Sequence, residues 1–329
     1  MRIGDPSQVG EVRRAATKLA ADVGLDDVAT GRVALIATEL GTNILKHAQR
    51  GEIMLRSSNG QLAGGVELVA IDSGPGISNL DRALQDGFST AGSSGTGLGA
   101  LGRLATTFDV FSGAGRGTVF VARVAPSTKH IPRALEVGVI QVPKGQEPVC
   151  GDDWSLTTHG SGSSLLVVAD GLGHGMAAAD ASRMASRVAA ERPEEGAAET
   201  ITAIHGALRS TRGAAVAAAA IAGDGRSIRF SGIGNISAFV VNAERTKAMV
   251  SHPGIVGHTA RKIQEFEYDF PAGTLLVMHS DGVSGKWDLG DYPGLMLRDP
   301  SVIAAILYRD FARGHDDAIV IVVRVRSRV

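Results

Sequence analysis

Residues 164–175 read SLLVVADGLGHG, an unbroken apolar run that ends in one acid followed by glycines at every second place. An apolar stretch of this length without polar alternation is the pattern of a strand covered on both faces. A strand predicted at 164–169 therefore delivers Asp170 to its end, where the glycines allow a tight turn. Three more acidic spots in the same half have similar settings. GDDW at 151–154 follows a strand predicted at 137–142, SDG at 280–282 closes one at 274–279, and HDD at 315–317 opens one at 318–325. Taken singly, Asp152 or Asp153 could cap a turn, and Ser-Asp-Gly is an ordinary turn. As a set they put carboxylates at strand ends, where a layered sheet can bring them to one pocket. Clustered carboxylates repel one another unless positive charge lies between them. Hard divalent cations with oxygen ligands meet that need. Two such ions about 4 Å apart clamp a phosphate and acidify water, which hydrolyses phosphomonoesters without a covalent enzyme intermediate.

Further strands are predicted at 215–221, 227–231 and 237–241, and helices at 176–191, 196–209 and 301–313. Many strands with few helices indicate a β-sandwich with helices outside. APSTKH at 125–130 reads as a linker, and the pattern before it is different. Asp5, Pro6 and Ser7 open a helix whose stripe is Val9, Val12, Ala16, Leu19 and Val23, with Gly24 as its stop. A second helix is expected at 27–48, with Val28, Leu35, Ile36, Leu40, Ile44 and Leu45 facing inward. Strands are expected at 53–56, 66–71, 108–112 and 118–124, and a helix from Leu98.

This N-terminal half carries its own constellation. In ELGTN at 39–43, Glu39 and Asn43 lie four apart on one helix face, with Lys46 and His47 about a turn further on. A carboxylate beside an amide can orient a nucleophile or water and hold a hard cation by oxygen. A solvated helix face would present the same pair. The strand at 66–71 runs into DSGPG at 72–76. Asp72 at a strand end can accept a hydrogen bond from an exocyclic amine such as that of adenine, and Gly74 and Gly76 let the backbone approach a ring. A simple turn fits those residues too. GSSGTGLG at 92–99 can wrap phosphates through backbone N–H groups, or serve as a flexible linker. Gly97, Gly99 and Gly102 match a dinucleotide fingerprint only by spacing, because no strand precedes them, and no P-loop motif occurs.

The length of 329 residues suits two domains rather than one core. A net charge of -1 offers no field to nucleic acid or to an anionic membrane, and 4% aromatic residues offer few stacking platforms. One cysteine, Cys150, excludes an internal disulfide and a cysteine-ligated metal site within the chain. It reads as a small packed side chain. With no signal peptide or membrane span in view, a cytoplasmic location is expected.

Order and spacing in the first half resemble the GHKL ATP-binding fold of histidine kinases, gyrase and the anti-sigma-factor serine kinases. ATELGTNILKHA, AIDSGPGI and LQDGFSTAGSSGTGLGALGRL carry the likeness, which is greatest to the small RsbT-type serine/threonine kinases. The resemblance implies ATP with Mg²⁺ held by Asn43, Glu39 as general base toward a protein serine or threonine, and Asp72 reading adenine in a pocket lined by Gly74 and Gly76. Gly95, Thr96, Gly97, Leu98 and Gly99 would form the lid, with Lys46 and His47 near the phosphates. RsbT relatives often carry Ala-Arg where Gly41 and Thr42 stand, and a mid-helix glycine costs about 1 kcal/mol relative to alanine. The second half resembles the SpoIIE/RsbX branch of the metal-dependent protein phosphatase 2C superfamily, through CGDDW, VVADGLGHG, FSGIGNISA, VMHSDGVSGKWD and DDAIVIVVR. That resemblance implies two Mn²⁺ or Mg²⁺ ions bridged by Asp152 and Asp170, with the Gly171 carbonyl, Asp281 and Asp316 completing the shell. Either member of each doublet, Asp152–Asp153 and Asp316–Asp317, fits the motif. His174 would bind a metal-held water or open a helix.

The expected organisation is α+β in two domains: a GHKL α/β sandwich at 1–124, a linker at 125–130, and a phosphatase 2C-like β-sandwich with flanking helices at 131–329. In the resembled families the shared partner is a STAS-domain phosphoprotein, an RsbS-like protein or an anti-sigma antagonist, phosphorylated and dephosphorylated in a partner-switching pathway. Two rival readings remain: a phosphatase whose N-terminal domain senses ATP or binds a partner without transferring phosphate, and a scaffold with degenerate sites.

Overall fold

The computed structural model describes residues 1–57, 65–83, 97–126, 135–145, 147–160, 162–192 and 195–326. The chain forms two compact units, Met1–Pro132 with Leu297–Ala305, and Arg133–Met296 with Ile306–Val329. Leu297–Ala305 groups with the first unit, although in sequence it lies between SDG at 280–282 and HDD at 315–317.

The first unit runs β1 (Arg2–Ile3), α1 (Pro6–Asp22), α2 (Asp27–Asn43), β2 (Gly51–Ser57), β3 (Val66–Asp72), α3 (Leu80–Ala83), α4 (Gly97–Leu104), β4 (Thr107–Ser112) and β5 (Thr118–Val124). Its strands make one antiparallel sheet in the order β1-β2-β3-β5-β4. At the start of α1 the Asp5 carboxylate accepts from the Ser7 N–H at 2.8 Å, and the Gln8 side chain accepts from the Asp5 N–H at 3.0 Å. The core joins Val12, Ala16 and Ala20 of α1 to Val33, Ile36 and Leu40 of α2, and to Leu68, Ala70, Phe120 and Ala122 of the sheet.

The inward stripe expected of α2 is corrected here. Val28 and Leu35 are 75% and 55% exposed, and the buried face is Ala29, Val33, Ile36, Ala37 and Leu40. Alternative stripes compete on one helix, and the more continuous one takes the core. The helix also ends earlier than expected, because Ile44–Ala48 widens into a π-turn. A Cβ on Gly41 would stand 3.2 Å from both Val9 methyls, so the glycine admits α1 at close range.

On β3 and β5 every residue is buried, so both faces of these strands are covered. Val66, Leu68 and Ala70 meet the helices, which turns Glu67 to the opposite face, across from Arg123 in the register. There Arg56 and Arg123 each donate to the Glu67 carboxylate at 2.5 Å. Arg123 also clamps Asp299 through two bonds of 2.5 and 2.7 Å, while Ser301 accepts from Arg123 at 2.8 Å and donates to Glu67 at 3.0 Å. Burial alone would raise the Glu67 carboxyl, but the two guanidinium groups outweigh it and hold the pKa at about 2.

The second unit runs β6 (Leu135–Val142), β7 (Asp152–Thr158), β8 (Ser164–Gly171), α5 (Met176–Ala190), α6 (Ala197–Ala207), β9 (Ala214–Ile221), β10 (Ser227–Ile233), β11 (Ser237–Val241), β12 (Thr246–Ala248), β13 (Phe266–Asp269), β14 (Leu275–His279), the part of α7 (Pro300–Phe311) from Ile306 onward, and β15 (Ala318–Val325). Two five-stranded sheets form, β13-β10-β9-β8-β7 and β12-β11-β14-β15-β6. Leu166 and Val168 of β8 enter the core between the sheets, and Leu165, Val167 and Ala169 meet α5 and α6. That double coverage explains the unbroken apolar run. Asp152 and Asp153, expected just after the strand at 137–142 with no strand of their own, open β7. The α+β fold class stands in both units. Among the described residues no helix is long and apolar enough to cross a membrane.

Candidate active sites of the two units

The second unit gathers its acids at one end of the sandwich. Asp152 and Asp170 face each other across the β7–β8 ladder. The Asp152 side chain is 1% exposed. Its Oδ2 accepts from the Ser280 hydroxyl at 2.7 Å, its carbonyl accepts from Gln141 at 2.7 Å, and its Oδ1 is buried without a partner. Asp317 is similarly half satisfied: its Oδ1 accepts from the Lys144 N–H at 2.8 Å, and its buried Oδ2 has no partner. Asp316 Oδ1 accepts from the Asp317 N–H at 3.0 Å. Asp281 Oδ2 accepts from Asn235 at 2.7 Å.

Electrostatics ties these groups together. Burial raises the Asp170 pKa to about 7, and the charges of Asp281, Asp316 and Asp317 push the same way. Asp152 is likewise raised, first by burial and then by Asp170, with Ser280 opposing. The charges acting on both groups are those of other carboxylates. Among the described residues no three His, Cys, Asp or Glu side chains stand close enough together to hold a metal ion, an approach that like charges oppose. Orphaned carboxylate oxygens, an oxygen-only donor set and raised pKa values all fit hard divalent cations.

Strand alternation separates the first doublet. Asp152 turns into the cluster, whereas burial raises Asp153 against the pull of the Trp154 N–H, Ser186 and Arg183, the last two on α5. In the second doublet both acids act on Asp170, and Asp317 is the more deeply buried. Gly171 gives α5 room, since a Cβ there would lie 2.0 Å from the Ala178 carbonyl oxygen. His174 pairs with Glu147 at 2.9 Å on an exposed edge. Burial, then Asp152, pushes the Cys150 thiol well above its ordinary range. Ser280, Gln141, Asn235 and Glu147 were not singled out from sequence. Ser280 sits inside the SDG motif, but its bond to Asp152 spans 128 positions.

In the first unit, Glu39 and Asn43 lie on the last turns of α2, Glu39 partly exposed. The Asn43 Nδ2 is buried without a partner. Lys46 and His47 are exposed on the π-turn. Asp72 ends β3, and its Oδ1 accepts from the N–H groups of Gly74 at 2.8 Å and Thr118 at 3.2 Å. Gly74 and Gly76 have packing reasons of their own. A Cβ on Gly74 would meet Ala48 at 2.7 Å, and Gly76, at φ +73°, would meet the Gly113 carbonyl at 2.1 Å. Gly97, Leu98 and Gly99 form the first turn of α4, while Gly95 and Thr96 lie outside the described residues.

An antiparallel sheet backed by helices beside a buried, unpartnered amide nitrogen, and a double sheet ending in a carboxylate cluster, define a kinase-like ATPase domain and a metal-dependent phosphatase domain. The family model for Stage II sporulation protein E (SpoIIE) matches residues 160–326, half of the chain, and that for the histidine kinase-like ATPase domain matches 4–123. The chain belongs to the SpoIIE family and carries a histidine kinase-like ATPase domain ahead of the matched region. Serine/threonine-protein kinase RsbT of Bacillus subtilis (strain 168) is 32% identical over 118 residues, covering 36% of this chain and 89% of the relative. A solved structure described as "The bacterial stressosome: a modular system that has been adapted to control secondary messenger signaling" aligns at a TM-score of 0.54 and 28% identity, over 58% of this chain and 99% of that one. A structure of RsbX in complex with magnesium aligns at 0.52 and 18% identity, over 60% and 98%, a likeness of fold.

Proposed function

We propose that the chain sets the phosphorylation state of a STAS-domain antagonist in a stressosome-like partner-switching pathway. Residues 1–124 would transfer phosphate from ATP to a serine or threonine of that partner, and residues 131–329 would remove it. The observation that carries this reading is the carboxylate cluster around Asp152 and Asp170, with its raised pKa values and orphaned oxygens.

Asp152, Asp170, the Gly171 carbonyl, Asp281 and Asp316 would hold two Mn²⁺ or Mg²⁺ ions. Such ions, when bound, supply Lewis acidity toward the phosphate and lower the pKa of water. Ser280 fixes the Asp152 carboxylate by its Oδ2 and leaves Oδ1 free to face the ions. In the first unit Asn43 would bind the Mg²⁺ that accompanies ATP, and Asp72 would accept from the adenine amine. Gly74 and Gly76 would line that pocket, Gly95–Gly99 would close over the phosphates, and Lys46 and His47 would flank them. Glu39 would take the proton of the partner's hydroxyl as its oxygen bonds to the γ-phosphorus and ADP departs.

The test mixes the full chain with labelled ATP and a purified STAS-domain protein. Label is expected to appear on the partner and to be released when Mn²⁺ is added. Glu39→Ala should abolish its appearance while ATP binding survives. Label that neither appears nor is lost would end this reading.

A further inference from the structure

We infer that Asn235 is a positioning residue for the phosphatase site, holding the Asp281 carboxylate in the orientation that receives a divalent cation. The inference rests on the proposed metal site and concerns a residue outside the expected ligand set.

The pairing is built into the sheet. In the β11–β14 ladder Ser237 stands opposite His279, Ala238 opposite Met278 and Phe239 opposite Val277. Continuing that antiparallel register two residues beyond β11 brings Asn235 opposite Asp281. There the Asn235 Nδ2 donates to Asp281 Oδ2 at 2.7 Å. The backbone that presents Asn235 has little freedom. Gly234 has φ +101°, and a Cβ on it would stand 2.5 Å from that of Ala215, so the chain passes from β10 to β11 pressed against β9. The Gly234 N–H donates to the His252 carbonyl at 2.9 Å, which fixes the turn on its other side.

The contact belongs to a pattern. Asp152, Asp281, Asp316 and Asp317 each have an oxygen taken by a neutral donor, respectively Ser280, Asn235, the Asp317 N–H and the Lys144 N–H. The second oxygens of Asp152 and Asp317 are buried with no partner. A neutral donor orients a carboxylate without cancelling its charge, whereas a lysine or arginine in the same place would compete with the cation. Asn235 does for Asp281, at the open side of the cluster, what Ser280 does for Asp152 at its floor. Partners of this kind are worth about 10–100-fold in metal affinity.

Calorimetric titration of the full chain with Mn²⁺ tests the inference, alongside the melting temperature of the metal-free protein. Asn235→Ala is expected to bind Mn²⁺ at least about tenfold more weakly, with an unchanged metal-free melting temperature. Asn235→Ser, which keeps a polar turn residue but is too short to reach Asp281, serves if the alanine variant melts early, and should show the same loss. Wild-type affinity in a folded variant overturns the role of Asn235 alone. A wild-type chain that takes up no Mn²⁺ overturns the proposed metal site and this inference together.

Discussion

Each unit buries a charged cluster, and the two clusters behave in opposite ways. Glu67 in the first unit lies between Arg56 and Arg123, and its carboxyl is held at about 2. Asp170 in the second faces other acids, and its carboxyl is pushed up to about 7. Burial raises both groups, so the difference comes from the neighbours. An acid beside guanidinium groups is already satisfied and ties β2, β3, β5 and Leu297–Ala305 into one body. An acid beside acids needs something else to satisfy it. The first arrangement is structural, and the second is the proposed cation site.

The sharpest way to break that contrast is to remove one acid from each cluster. Asp170→Asn should abolish Mn²⁺-dependent hydrolysis of p-nitrophenyl phosphate, while metal-free stability stays level or rises because a repelling charge has gone. Glu67→Gln takes the carboxylate from the buried Arg123 and the part-exposed Arg56 and should cost about 3–5 kcal/mol in denaturant unfolding. A comparable loss of stability from both variants would erase the distinction.

Smaller effects should appear in the pH dependence of stability. Glu67 titrates below its ordinary value of 4.5, so its contribution is complete above that pH and is lost as pH falls toward 2. Asp170 titrates above its ordinary value of 3.8, so the native metal-free protein holds more protons than the unfolded chain between there and about 7. The metal-free second unit should therefore lose stability as pH rises through that window. Thermal melts at stepped pH, with and without Mn²⁺, check both signs. Saturating Mn²⁺ should flatten the second slope and leave the acid-side loss in place.

Much of this was legible in the sequence, and the reasons differ by element. The run at 164–171 reads as a strand because both faces are covered, and β5 and β11 have the predicted bounds because their apolar content is dense. By contrast β1, β12 and β13 are short strands at sheet edges with few apolar residues, so no periodicity marks them. β7 begins with two acids and alternates polar residues, which masks it as a turn. Once it is a strand, alternation decides which member of the Asp152–Asp153 doublet enters the cluster, and sequence alone lacks that phase. Val28 and Leu35 show the opposite failure: apolar residues at helical spacing that face outward because another stripe took the core. Contacts such as Arg123 with Asp299, 176 positions apart, leave no local signature.

Anomalous diffraction from crystals soaked in Mn²⁺ tests most directly whether the second unit's carboxylates surround divalent cations. The expected result is a pair of peaks about 4 Å apart, flanked by Asp152, Asp170, Asp281 and Asp316. Density free of anomalous peaks there, or Mn²⁺ bound only elsewhere on the chain, would contradict it.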